Sequence, residues 1–123
     1  MRSCYGPRMT ATDAYIECAV WTGYQTDDAG EQIELDKLDF VIPTATYAVA
    51  DQTVRAFIAA NAGDLIGMDD AQIGHDLWLT RNHHGAGFWD RGLGKRGDRL
   101  TAAADSLGES YAYVGDDARL YFD

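Results

Sequence analysis

The chain has 123 residues, 20 of them acidic and 10 basic, for a formal net charge of −10. That length fits one domain able to bury a core without disulfide or metal staples, and an apolar fraction of 46% excludes a wholly disordered chain. The acidity disfavours direct nucleic-acid binding over most of the surface, and no apolar run approaches the ~20 residues that span a bilayer, so no membrane partner is expected.

Residues 1–11 (MRSCYGPRMTA) read as a loose N-terminal leader, with Met9 a second candidate start, and residues 12–123 as a single domain. Cys4 and Cys18, the only cysteines, form no CxxC or zinc spacing, and no signal peptide is evident. Reduced thiols and a cytoplasmic location are expected. From residue 12 a helix capped by Thr12 or Asp13 is favoured, because Tyr15, Ile16, Ala19 and Val20 recur at helical spacing. The β-forming composition of YIECAVW leaves a strand open for residues 14–21. Gly23 ends the element. Residues 24–43 read as a long acidic connection, tacked to the core by Ile33, Leu35, Leu38 and Phe40 and closed by Pro43.

Thr44 or Thr46 starts the clearest helix, with Tyr47, Ala50, Val54, Phe57 and Ile58 as its apolar stripe. Asn61-Ala62-Gly63 is its expected stop, with Gly63 left-handed. Asp69-Asp70 starts the next helix, which runs to about Arg81 with Ile73, Leu77 and Trp78 inward. Gly74 inside it implies close packing. Asp98 is the expected cap of a last helix over 99–107, with Leu100, Ala103, Ala104 and Leu107 on one face and Gly108 as its stop. The ending ESYAYVGDDARLYFD predicts a β-hairpin of Tyr111–Val114 and Ala118–Phe122 turning at Gly115-Asp116-Asp117. A lone hairpin is not stable in water, so it must pack on helices or a further strand. The fold class is α+β: three to four helices packed with a C-terminal β-hairpin or small antiparallel sheet.

Residues 81–99 hold two of three histidines, five glycines and half of the basic residues. His75, Asp76, His84 and Asp90 are the residues a metal-dependent hydrolytic enzyme would use. Adjacent His83 and His84 point in different directions, and the sequence has no HExxH. A structural role, hydrogen-bonding loop carbonyls and capping a helix end, is favoured, and no metal or cofactor is expected. GAG at 85–87 and GLG at 92–94 lack the strand-before, helix-after context of phosphate loops. They read as turns that fold Phe88 and Trp89 back onto the core. Arg81, Arg91, Lys95, Arg96 and Arg99 interleave with aromatics, as in nucleic-acid binders, or pair internally with the acidic half. No GxSxG elbow is present. Gly115-Asp116-Asp117 reads as a turn rather than a polymerase metal motif, and the protein is not expected to be an enzyme.

The stretch GHDLWLTRNHHGAGFWDRGLG (74–94), followed by LTAAADSLGESYAYVGDD (100–117), resembles a family of small uncharacterised bacteriophage and prophage proteins. YIECAVW at 15–21 matches it more loosely. His83 departs from the family pattern, where glycine or a varied residue is expected. The resemblance implies an accessory protein acting in the cytoplasm of a host bacterium. It points to a motif surface of His75, Asp76, Arg81, His84, Trp89, Asp90 and Arg91.

The leading expectation is a non-enzymatic inhibitor of a host defence protein, of anti-CRISPR type. The acidic run Asp27, Asp28, Glu31, Glu34, Asp36 and Asp39 would imitate phosphates before a partner with a basic nucleic-acid-binding groove. The alternatives are the metal-dependent enzyme and a nucleic-acid-binding accessory protein using residues 81–99. Both a monomer and a homodimer remain open.

Overall fold

A computed structural model describes residues 9–123. Cys4 and most of the expected leader lie outside the described residues. Helix α1 (Ala11–Thr22) begins ahead of the expected position because Thr10, rather than Thr12 or Asp13, is its cap. Asp13 N–H donates to Thr10 Oγ1 (3.0 Å) and Thr10 N–H donates back to Asp13 Oδ2 (3.2 Å), a capping box. Thr12 is instead buried and donates its hydroxyl to Asp51 Oδ1 at 2.8 Å. Residues 14–21 are helical. Ala14, Tyr15, Ile16, Cys18 and Ala19 are all buried, and a helix enclosed on more than one face reads as apolar throughout.

Residues 24–43 contain structure that the sequence conceals. Strands β1 (Tyr24–Thr26) and β2 (Gln32–Glu34) pair antiparallel, with Tyr24 opposite Glu34 and Thr26 opposite Gln32. Asp27 builds the turn: its Oδ1 accepts from the N–H groups of Ala29 and Glu31, both at 2.9 Å. Gly30 supplies the left-handed residue, at φ +84°. Leu35 is fully buried, and Leu38 and Phe40 pack on the core as expected.

Helix α2 (Thr44–Ala60) buries Ala50, Val54 and Phe57, with Tyr47 and Ile58 partly covered. It ends at Asn61, whose N–H donates to the carbonyls of Phe57 and Ile58. Gly63 is not left-handed; it sits in a 3₁₀ turn (Ala62–Leu65), and Gly67 takes the positive φ of +88°. Helix α3 (Asp70–Arg81) is capped by Asp69, whose Oδ1 accepts from Gln72 N–H at 2.8 Å. It is the closest neighbour of α1. A Cβ on Gly74 would lie 2.0 Å from the Ala11 carbonyl oxygen, so glycine sets the spacing of the pair.

Helix α4 (Lys95–Asp105) begins four residues before Arg99, and Asp98 does not cap it. Gly94, at φ +64°, holds the cap position. A polar first turn hid this start. Leu100 and Ala104 are buried, while Leu107 lies beyond the helix and is exposed. Gly108, at φ +77°, turns the chain away as expected.

Strands β3 (Ala112–Val114) and β4 (Leu120–Phe122) form the C-terminal hairpin, each shorter than expected. Three segments support the hairpin along its two edges. Val41 N–H donates to the Ala118 carbonyl and Leu120 N–H to the Val41 carbonyl, both at 3.0 Å. Thr46 of α2 donates its hydroxyl to the Leu120 carbonyl at 2.7 Å. Gln25 of β1 brackets Val114: its Nε2 donates to the carbonyl (3.1 Å) and its Oε1 accepts from the N–H (2.9 Å). The fold is α+β: among the described residues, four α-helices with two small two-stranded antiparallel sheets. Among the described residues, no helix is long and apolar enough to cross a membrane.

Candidate functional site

The conspicuous stretch at 74–99 is mostly internal scaffolding. Asp76 is fully buried, and Arg91 grips it side-on through one guanidinium edge, with Nη2 2.7 Å from Oδ1 and Nε 3.1 Å from Oδ2. This bidentate bond holds the Arg91 guanidinium above its ordinary pKa. Arg81 donates to Tyr15 Oη (2.9 Å) and to the carbonyls of Leu107 (3.1 Å) and Gly108 (2.8 Å), so it ties the exit of α4 to α1. Arg96 donates to the Ile66 carbonyl (2.8 Å) and Arg99 grips Asp64. Of the five basic residues read as a nucleic-acid surface, only Lys95 has no side-chain partner among the described residues. The others pair internally.

The glycines of this stretch serve the same end. A Cβ on Gly87 would meet Thr80 Oγ1 at 2.2 Å, and Thr80 Oγ1 accepts from Phe88 N–H at 3.2 Å. Phe88 is thereby driven fully into the core, where it stacks on Phe57 with centroids 5.6 Å apart. Trp89 does not fold back with it; 51% of its surface is exposed. Asp90 is exposed beside it.

The helix cap at the histidines is made by their backbone rather than by their rings. His83 takes φ +58°, its N–H donates to the Thr80 carbonyl (3.1 Å), and His84 N–H reaches back to the Leu79 carbonyl (2.9 Å). This is a Schellman closure of α3, with His83 in the position that favours glycine. The His83 ring lies between Asp105 and Glu109, at 3.8 and 4.0 Å. His75 Nε2 pairs with Glu17 at 3.2 Å, while the His84 ring lines a cleft. His75, Asp76, His84 and Asp90 are thus each directed elsewhere. Among the described residues, no three His, Cys, Asp or Glu side chains converge as metal ligands would. Cys18 is fully buried, and burial pushes its thiol up to about 12, with Asp76 and Glu17 adding to the shift.

The acidic run is set out differently. Asp27 is committed to its turn. Asp28, Glu31, Glu34, Asp36 and Asp39 are all exposed on or just beyond the β1–β2 hairpin. Among the described residues, none of these five joins a salt bridge. The hairpin that carries Asp28, Glu31 and Glu34 is anchored by buried Leu35 and by the Gln25–Val114 clasp.

Next to that hairpin opens a cleft of about 260 Å³. Tyr24 and Tyr111, 60% and 65% exposed, line it together with buried Trp78, His84, Glu109 and Ala112. Trp78 Nε1 donates to Thr22 Oγ1 at 3.1 Å, which fixes the indole. Only His84 of the expected motif surface reaches this cleft. Sequence reasoning missed Tyr24, Tyr111 and Glu109; the usable signal was the DDAG turn at 27–30, which announces a hairpin ending beside Tyr24. No family model, curated protein or solved structure matches the chain.

Proposed function

We propose that this chain is a small phage- or prophage-encoded inhibitor that acts without catalysis and presents the β1–β2 hairpin to the basic nucleic-acid-binding groove of a host defence protein. The observation that carries the reading is the disposition of charge. Five exposed carboxylates stand without a salt bridge, among the described residues: Asp28, Glu31 and Glu34 on the β1–β2 hairpin and Asp36 and Asp39 in the segment that follows it. Meanwhile Arg81, Arg91, Arg96 and Arg99 are bonded elsewhere in the molecule. Lys37 is the one cation within the run, so among the described residues the run keeps a net negative charge, and such a field steers association with a basic surface. A CRISPR effector channel or a restriction enzyme's DNA groove has that chemistry.

The test is plaquing. A phage is plated on bacteria that restrict it through a CRISPR system, and in parallel on bacteria that restrict it through a restriction system. Expression of the chain should restore plaquing in one of them. Changing Asp28, Glu31, Glu34, Asp36 and Asp39 to lysine, while keeping Asp27 for the turn, should return plaquing to the restricted level. Full activity in the folded charge-reversed variant, or no gain from the unchanged chain against either system, overturns the proposal.

A further inference from the structure

We infer that the cleft between Tyr24 and Tyr111 receives an extended peptide segment, which pairs in strand fashion with the outward backbone of Ala112, between Val114 bonded by Gln25 and Ser110 bonded by Asn82, and directs a lysine or arginine toward Glu109. This goes beyond the acidic-run reading and does not depend on it.

The register of the C-terminal hairpin carries the inference. Tyr111 and Asp123 exchange both backbone hydrogen bonds, and Gly115 N–H donates to the Arg119 carbonyl. In an antiparallel pair the bonded positions alternate. Residues 111, 113 and 115 therefore face β4, and the backbone groups of Ala112 and Val114 face outward. Those of Val114 are satisfied by the Gln25 carboxamide, which donates to the carbonyl and accepts from the N–H. A carboxamide is the side-chain counterpart of a peptide group, so this edge already binds one amide. The next outward position along the strand, Ala112, lies roughly 7 Å away. It has no hydrogen-bond partner among the described residues, and it lines the cleft. The same alternation turns the backbone of Tyr24 away from β2, since the bonded pairs there are Gly23–Leu35 and Asp27–Glu31.

An unpaired N–H and C=O side by side in strand geometry are complementary to another strand, the mode known as β-augmentation. Tyr24 and Tyr111 flank that position with aromatic surface, and Trp78 backs it. These rings suit an apolar side chain of the incoming segment. Charge sets the neighbouring residue. Among the described residues, no lysine or arginine lines the cleft, and the salt-bridge contacts of Glu109, with 54% of its side chain exposed, are limited to the His83 ring at 4.0 Å.

The probe is a random twelve-residue peptide library displayed on filamentous phage and selected on the full chain. Enriched sequences are synthesised with blocked ends and titrated calorimetrically. The expected selection pairs an apolar or aromatic residue with a nearby lysine or arginine. Ala112→Pro, which deletes the outward N–H, should weaken binding at least tenfold. Glu109→Lys should shift the selection from basic to acidic peptides. If Ala112→Pro fails to fold by circular dichroism, peptides N-methylated at each position in turn decide the matter, and one position should abolish binding. No enriched sequence, or binding indifferent both to N-methylation everywhere and to Glu109→Lys, overturns the inference; a ligand held by ring stacking alone gives the second result. Peptide binding and plaquing are separate readouts, so either proposal can fail alone.

Discussion

Asp76 and Arg91 fall in the most conspicuous part of the sequence, yet their chemistry faces inward. A buried carboxylate is tolerated when a cation meets it with good geometry, and stranding it by removing that cation is costly. Arg91→Ala should therefore lower the unfolding free energy by about 3 kcal/mol, read from urea denaturation. Replacing both residues by leucine should recover much of that loss; an unchanged midpoint in Arg91→Ala would contradict the assignment. Cys18 makes a second residue-level prediction. With its thiol pushed up to about 12 and fully buried, almost no thiolate forms at pH 8. In a Cys4→Ser background the folded protein should resist an aromatic disulfide reagent at that pH and react with it on unfolding. Prompt labelling of the native state would show that the thiol is accessible.

Elements explain why glycines crowd the loop after α3. Gly85 has open space where a Cβ would stand, whereas Gly87 has Thr80 Oγ1 at 2.2 Å. Gly85→Ala should leave the thermal midpoint nearly unchanged. Gly87→Ala should cost about 1–3 kcal/mol through forced repacking, and equal effects from the two would refute the packing explanation. Helix α2 was legible from its apolar stripe, although its N-cap is Pro43 without a side-chain bond, and α3 from its Asp69 cap. The C-terminal hairpin was legible from its turn residues. The β1–β2 hairpin was not, because its strands are three residues long and mostly polar, and the one informative feature was the turn chemistry of Asp27 and Gly30. The early start of α4 was hidden by Gly97, which would cost stability in an isolated helix; here a Cβ would meet the Phe88 carbonyl oxygen at 2.9 Å. Of the expected motif surface, the sequence could flag which residues are special but not which way they point. Asp76, Arg81 and Arg91 turned out to hold the fold together, and only His84 reaches the cleft.

At the scale of the whole molecule, charge bears on both stability and the proposed function. Asp51 is held below the ordinary carboxylate range by the Thr12 hydroxyl, Asp64 by Arg99 and Asp117 by the Tyr121 hydroxyl. In the unfolded chain these groups titrate near pH 4. Their stabilisation is complete above that value and is lost as pH falls through the lower folded-state values. The melting temperature should therefore drop below about pH 4. The drop should be shallower when all three are asparagine, and an identical profile would contradict the sign. The acidic run at and just beyond the β1–β2 hairpin is what the proposed function uses. The most direct measurement compares two folded variants for plaquing on the restricting host that the unchanged chain rescues. One carries lysine at Asp28, Glu31, Glu34, Asp36 and Asp39; the other carries alanine at the motif residues His84, Trp89 and Asp90. Loss of rescue in the first with rescue kept in the second is the expected result. Rescue kept in the first and lost in the second would place the function in the glycine-rich motif and contradict the assignment to the hairpin.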